Sequence, residues 1–166
     1  VMTYTTLASI VKYPFASSVA GSHGKFGFFS SEEAYYRKIA DELGIICTSA
    51  PGEALRYVRH PLVFLMEAAD DICYEIMDIE DAHKLKLLTF SETEELLLGF
   101  FDDEDRAAIR RRVEEDGVTD VNEKVVYLRA CVVGKLESEC VRAFVDHEAE
   151  ILAGEFTQSL ISAISP

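Results

Sequence analysis

The sequence predicts an all-α fold, and three observations support this prediction. Apolar residues recur at the three- and four-residue spacing of an amphipathic helix through most of the chain. No segment alternates apolar and polar residues for more than a few positions, as a half-buried strand does. Apolar residues make up 49% of the 166 residues, which allows a chain of this length to bury a core. We therefore expect one globular domain, or a large part of one, built from helices.

The beginning of the chain is predicted to form a short helix and a loop. Residues 5–11 carry apolar positions at helical spacing, and Pro14 ends this helix because proline disfavours helix in the residue before it. Residues 16–27 are rich in serine and glycine, which is typical of a mobile loop. This loop leads into the Lys-Phe-Gly-Phe-Phe segment at 25–29, and we expect it to close over a ligand.

Two further helices are predicted before residue 90. Ser30 and Glu33 fit a capping box at the start of a helix that ends at Gly44. A Pro-Gly pair then breaks the chain. Pro61 suits a first helical turn, since its missing N–H is not needed there, and a long helix is expected to follow as far as His83.

The remaining residues predict four helices. Ser91 and Glu94 fit another capping box before a short apolar stretch. A charged amphipathic helix is expected over 102–115, where a glycine soon follows. A long helix is predicted over 121–145 and a last one over 151–164.

The charge of the chain excludes some classes of partner. The chain carries 16 Lys and Arg against 30 Asp and Glu, a formal charge of −14. This balance disfavours general binding to nucleic acid or to an anionic membrane, and a polyanionic ligand must be met by a local basic pocket. No apolar run approaches the roughly 20 uncharged residues of a membrane span.

The ends and the cysteines give two further expectations. The first residues lack a signal-peptide pattern and are typical of the middle of a helix, so we expect an N-terminal portion of the protein outside this chain. The four cysteines form no CxxC pair, and we expect reduced thiols in a cytoplasmic protein.

The segment 61–82 has the most informative pattern. At helical spacing its apolar residues form one stripe: Leu62, Leu65, Met66, Ala69, Ile72 or Cys73, Ile76 and Ile79. A second stripe, at spacings of three, four and four residues, contains Glu67, Asp70, Tyr74 and Asp78. Carboxylates beside an apolar core are costly unless they are paired or bind a metal, so this arrangement predicts a cation or strong donors. The alternative is an acidic face in contact with water.

The same segment, PLVFLMEAADDICYEIMDIEDA at 61–82, resembles a known motif. It is similar to the EAADDI-x-Y-x-x-x-D-x-ED motif of bacterial deoxyguanosinetriphosphate (dGTP) triphosphohydrolases, members of the HD metal-hydrolase superfamily. Two further matches, LASIVKYP at 7–14 and KFGFF at 25–29, follow the order and rough distance of that family. The resemblance implies part of an HD-type catalytic core over 1–90 and a helical region over 91–166 packed on it.

The resemblance implies a role for four residues of the long helix. Asp70 matches the last metal ligand of the family, with Mg or Mn as the divalent ion, and Asp71 matches a position that supports it locally. Tyr74 matches the aromatic residue beside the substrate sugar, and Asp78 matches a polar position in the same pocket. The alternative for Tyr74 is a tyrosine of the core. The resemblance identifies no residue of this chain as the catalytic acid or base.

Three residues of the first segment match positions that face the triphosphate in the family. These residues are Lys12, Tyr13 and Lys25, and they would give an acidic chain the local positive charge that a polyanion needs. The alternative for both lysines is ordinary surface exposure.

The upstream half of the family's metal site has no match. That site needs a histidine and a His-Asp pair before the final aspartate, and the chain contains no His-Asp dipeptide. Asp146-His147 is reversed and lies downstream, and His60 is expected to cap a helix or pack. No other histidine has a ligand spacing: His23, His83 and His147. One carboxylate does not hold a catalytic ion, so we expect this chain to be inactive alone.

For the complete enzyme, the resemblance implies hydrolysis of dGTP, or of other deoxynucleoside triphosphates (dNTPs), to the deoxynucleoside and inorganic triphosphate. It also implies a homo-oligomer, commonly a hexamer, with nucleic acid only as an allosteric ligand. Three alternatives remain open at this point. The chain would belong to another HD phosphohydrolase, to a helical domain that senses a nucleotide without cleaving it, or to a purely structural module.

Overall fold

The computed structural model describes residues 2–21 and 24–164, and the fold over these residues is all-α. The helices are α1 (Tyr4–Ser9), α2 (Glu33–Leu43), α3 (Pro61–Lys84), α4 (Phe90–Leu98), α5 (Asp103–Glu115), α6 (Val121–Asp146), α7 (Glu148–Ala153) and α8 (Leu160–Ile164). Two short 3-10 turns lie at Ser17–Val19 and Ser30–Glu32. The β-pairing in the described part of the chain consists of isolated bridges, for example Phe15 with Arg56. The predicted fold class is therefore confirmed.

Several of the predicted helix ends are wrong. Helix α1 ends at Ser9, before the end at Val11 that was predicted from Pro14, and local hydrogen bonds explain two of the other differences. The predicted box at Ser30 and Glu33 is replaced by Glu32, whose carboxylate accepts from the Phe29 N–H at 2.9 Å. The box predicted at Ser91 forms two residues earlier. There the Thr89 hydroxyl accepts from the Glu92 N–H at 3.3 Å, and the Glu92 carboxylate accepts from the Thr89 N–H at 2.8 Å.

The last predicted helix is two helices, α7 and α8. Helix α7 ends because Gly154 adopts a left-handed φ of 73°. A Cβ at this position would also lie 2.5 Å from a methyl carbon of Val58, so the close approach requires glycine. The single helix predicted over 151–164 is therefore interrupted after Ala153.

The chain divides into two compact units. The first contains Val1–Ala68 and Val141–Pro166, and the second contains Ala69–Cys140. Both boundaries fall inside long helices, after Ala68 in α3 and after Cys140 in α6. The resemblance implies a different division, at residue 90, between a catalytic core and a helical region. That division is based on catalytic role and stays a prediction.

The first unit has an aromatic core under α2. The Phe28 and Tyr36 rings are stacked at 4.4 Å, and the Tyr57 ring lies 5.3 Å from Tyr36. Burial raises the pKa of Tyr36 to about 12, because the ionised phenol loses its hydration there. Elsewhere in this unit Phe64, which is 2% exposed, meets Phe156 edge to face at 5.4 Å.

The second unit buries apolar residues of three helices. These are Ile72 and Ile76 of α3, Leu97 and Leu98 of α4, and Val125, Leu128, Val132 and Leu136 of α6. Thr93 is fully buried as well, and its hydroxyl donates to the Thr89 carbonyl at 2.9 Å. The polar atom is thereby satisfied inside the core.

Candidate functional site

Helix α3 carries three of the predicted site residues on one exposed face. Asp70, Tyr74 and Asp78 follow one another at intervals of four residues, so their side chains project from the same side of the helix. All three are exposed, and Tyr74 is 66% exposed. Tyr74 is therefore not a core tyrosine, and this phenol and these carboxylates are open to a ligand.

The fourth member of the predicted stripe, Glu67, lies on the buried side of α3. Glu67 is 5% exposed, whereas Leu62, predicted to face the core, is 41% exposed. The buried apolar residues of this helix are Val63, Phe64, Ala68, Ile72 and Ile76. The predicted faces are wrong here because the first turns of α3 are apolar nearly all round, so periodicity alone does not define the buried side.

The buried Glu67 carboxylate binds two cations. Its Oε1 lies 3.0 Å from Lys12 Nζ, and its Oε2 lies 2.9 Å from Arg59 Nη1. The prediction that the carboxylates of this stripe need a cation or strong donors is confirmed for Glu67 alone; Asp70 and Asp78 are exposed, as the alternative of an acidic face in contact with water expects. Two cations against one carboxylate leave this trio with a surplus of one positive charge. This surplus stands out in a chain whose formal charge is −14.

The sequence did not identify Arg59 as a site residue. Arg59 comes just before α3, and its guanidinium lies 5.5 Å from the centre of the Phe64 ring, a cation–π contact. The signal that would have found it is the single acidic residue in the apolar stretch at 62–69, which requires a basic partner. Which basic residue supplies the partner depends on the tertiary fold.

Tyr13 and Lys25 are brought together by a close approach of two segments. Gly27 donates its N–H to the Phe15 carbonyl at 3.1 Å, and a Cβ on Gly27 would lie 2.3 Å from the Tyr13 carbonyl oxygen. Only glycine permits this approach. It places Lys25 Nζ 5.4 Å from the centre of the Tyr13 ring. The structure thus pairs two of the three predicted phosphate-facing residues, and the third, Lys12, binds Glu67.

The loop predicted over 16–27 is held at both ends. Ser17 donates its N–H to the Phe28 carbonyl at 2.9 Å, and Ala16 forms an isolated bridge with Phe28. Residues 22 and 23 lie outside the described residues, so the interpretation of His23 as a non-ligand stays a prediction.

The described histidines have structural partners. His60 Nδ1 accepts from the Leu62 N–H at 3.2 Å, so the predicted capping role is confirmed. Burial lowers the pKa of His60, which favours the neutral ring that accepts this bond. His83 lies 3.2 Å from the Thr93 hydroxyl, and His147 packs on Phe156 at 4.9 Å. Over residues 2–21 and 24–164, no three His, Cys, Asp or Glu side chains are grouped to hold a metal ion.

Similar proteins were found among curated sequences. A deoxyguanosinetriphosphate triphosphohydrolase-like protein of Pseudomonas aeruginosa is 38% identical over 164 residues, which cover 96% of this chain and 35% of that protein. A protein of the same name from Synechocystis is 34% identical and covers 99% of this chain. The chain is a relative of the deoxyguanosinetriphosphate triphosphohydrolases. A deoxyguanosinetriphosphate triphosphohydrolase of Serratia proteamaculans is 31% identical, also over 99% of the chain.

These comparisons confirm the resemblance based on the segment 61–82. The chain spans about one third of the length of the curated relatives it matches. No protein-family model matches the chain. In the described part of the chain, no helix has both the length and the apolar character needed to cross a membrane.

Proposed function

We propose that this chain is a portion of an enzyme that hydrolyses dGTP, and other dNTPs, to the deoxynucleoside and inorganic triphosphate. The observation that carries the proposal is the relationship to triphosphohydrolases over 96% of the chain. The exposed face of α3 supports it, because this face carries Asp70, Tyr74 and Asp78, the residues expected at the metal and the sugar. An HD-type helical core, formed with further parts of the protein, is included in the proposal.

The basic residues of the first unit would bind the phosphate chain. A triphosphate carries several negative charges, which an acidic protein must meet with a local positive field. The Lys12–Glu67–Arg59 trio has a positive surplus, and the exposed Lys25 lies close to Tyr13. Lysine and arginine donors form short charge-assisted hydrogen bonds to phosphate oxygens. Lys12 and Lys25 would thus neutralise the phosphates while the bond to the 5′ oxygen breaks.

The face of α3 would bind the sugar. Tyr74 presents a flat ring with a hydroxyl at its tip, which can pack on a deoxyribose and leave little room for a 2′ hydroxyl. Asp78, one helical turn further on, presents carboxylate oxygens that accept from a sugar hydroxyl. Both side chains are exposed, as contact with a ligand requires.

A divalent ion, Mg or Mn, would polarise the α-phosphate in the complete enzyme. The described residues do not fit a complete metal site, since Asp70 is a single carboxylate and the described histidines near it in sequence have other partners. We propose that Asp70 supplies one ligand and that the other ligands come from the rest of the protein or from another subunit.

The proposal is tested with the full-length protein that contains this chain. Release of inorganic triphosphate from each dNTP is measured with Mn, with Mg and with a chelator. We expect release that needs the metal and that falls to background in Asp70→Ala. The matched control is Glu75→Ala, an exposed acidic residue of the same helix at a position that the motif leaves open, which should keep activity. A wild-type protein that binds dNTPs but releases no triphosphate would instead identify a nucleotide sensor.

A further inference from the structure

Glu67 is a buried carboxylate that has no direct role in the proposed hydrolysis. It is 5% exposed, and each of its oxygens already accepts from a different cation. Such a carboxylate is not placed to bind a metal ion or to activate water. Its cost of burial nevertheless requires a compensating interaction, and the two cations supply it.

The two cations differ from Glu67 in that solvent reaches them. The Lys12 side chain is 31% exposed and the Arg59 side chain is 23% exposed. They come from separate segments, one after α1 and the other directly before α3. Glu67, in the second turn of α3, is the group that binds both, so it fixes the position of one cation relative to the other.

We propose, building on the proposed function, that Glu67 is a positioning residue that holds Lys12 and Arg59 as a preset pair of cations for the nucleotide polyphosphate. Arg59 thereby becomes a further residue of the phosphate site. The ligand is an inorganic or nucleoside polyphosphate, whose adjacent phosphoryl groups match two neighbouring cations.

The physical reason is preorganisation. A lysine side chain is flexible and loses conformational entropy when an anion orders it. The ion pair with Glu67 orders Lys12 before the ligand binds, and the contact with Phe64 restricts Arg59 in the same way. Groups that are ordered in advance lose less entropy on binding, so affinity for the polyphosphate increases. Neutralising Glu67 leaves both cations in the protein but removes their common anchor.

The test compares four forms of the full-length protein: wild type, Glu67→Gln, Lys12→Met and the double variant. Binding of inorganic triphosphate is measured by calorimetry, and KM and kcat are measured for dGTP. We expect Glu67→Gln to raise both Kd and KM roughly tenfold, as loss of one charge-assisted interaction does, with kcat changing much less. The double variant should lose less binding free energy than the sum of the two single losses, because the part of the Glu67 effect that acts through Lys12 is already gone and only the part that acts through Arg59 remains.

Glu80→Gln is the matched control. Glu80 is 6% exposed and also pairs with two cations, Lys84 and Arg129, but it lies in the second unit. We expect this variant to keep the wild-type Kd and KM. Equal changes in the two glutamine variants would overturn the proposal, because both would then reflect a general loss of structure. Additive effects of Glu67→Gln and Lys12→Met, or an unchanged Kd, would overturn it as well.

The role of Glu67 can still be tested if Glu67→Gln does not fold, or if the protein hydrolyses no dNTP. If Glu67→Gln does not fold, Glu67→Asp is tested instead, because it keeps the charge but is one methylene too short to reach both cations. This variant should weaken triphosphate binding measurably, though less than tenfold. Unchanged binding would contradict the proposal. A wild-type protein that does not bind inorganic triphosphate also overturns it. If wild type binds triphosphate but releases none from any dNTP, the hydrolase proposal fails, while the Kd values still decide the role of Glu67.

Discussion

Two buried glutamates of α3, Glu67 and Glu80, are each compensated by two cations, but the cations come from different parts of the structure. Both are almost fully buried, at 5% and 6% exposed, and both bind two cations. Glu80 forms ion pairs with Lys84, one turn further along the same helix, and with Arg129 of α6. Glu67 forms ion pairs with Lys12 and Arg59, neither of which is in its own helix.

The exposure of the partners separates the two clusters further. The side chains of Lys84 and Arg129 are 59% and 38% exposed, whereas those of Lys12 and Arg59 are 31% and 23% exposed. Charges that reach water lose little when their partner is removed, but enclosed charges lose much more. The comparison therefore indicates that Glu80 stabilises one unit, whereas Glu67 also defines the environment of partly enclosed cations.

The largest effect is expected for Glu67→Ala. This change leaves Lys12 and Arg59 partly buried without their anion, so it should lower the free energy of unfolding by about 3–5 kcal/mol. Urea denaturation followed by circular dichroism measures the loss. Glu75→Ala, an exposed residue of α3, is the control and should stay within about 0.5 kcal/mol of wild type. A loss below about 1 kcal/mol for Glu67→Ala would remove the distinction between the clusters.

Glu80→Ala should have a smaller effect, a loss of about 1–2 kcal/mol. The reason is that Lys84 and Arg129 can turn towards water when the carboxylate is gone. The same denaturation experiment gives the value. Equal losses for Glu80→Ala and Glu67→Ala would show that partner exposure does not control the energetics.

The pH dependence of stability should sharpen the comparison. The hydrogen bond from Lys84, followed by the bond and charge of Arg129, lowers the pKa of Glu80 below its ordinary value of 4.5. The unfolded chain therefore takes up this proton first on acidification, so the contribution of Glu80 is complete above about pH 4.5 and is lost below it. Denaturation at a series of acidic pH values should show a steeper loss in wild type than in Glu80→Gln. Parallel curves would contradict this account.

The smallest effect is expected at His60. Burial lowers its pKa from 6.5, so the unfolded chain binds the proton first, and stability should decrease as the pH falls below about 6.5. Protonation also removes the acceptor for the Leu62 N–H. His60→Asn keeps a side-chain acceptor at this helix start and should abolish this part of the pH dependence. Thermal unfolding at pH 5 to 8 checks the result, and an unchanged slope in the variant would exclude His60 as its source.

The fold could be predicted from the sequence wherever local rules decide. Pro61 and the long helical pattern predicted a helix from Pro61 to His83, and the observed α3 ends one residue later, at Lys84. The capping residues were misplaced, because several Ser, Thr and Glu pairs satisfy the same spacing and only the packed helix selects Thr89 with Glu92. The break after Ala153 depends on a close approach to Val58, which no local pattern contains.

The candidate site could be predicted only in part. Asp70, Tyr74 and Asp78 were predicted to share a face of α3, and the structure places all three on its exposed side. Glu67 was assigned to the same stripe although it lies on the buried side, since an apolar surround hides the direction of the core. Its partner Arg59 depends on tertiary contacts and was missed. The Lys84 pair, by contrast, follows the helical i, i+4 rule.

The measurement that tests the central claim most directly is the identity of the phosphorus product. The full-length protein is incubated with dGTP and a divalent metal, and ³¹P NMR follows the products. We predict intact inorganic triphosphate together with deoxyguanosine, formed by wild type and not by Asp70→Ala. Formation of pyrophosphate with dGMP, or of orthophosphate with dGDP, would show cleavage at a different bond and would contradict the assignment of this chain to a triphosphohydrolase.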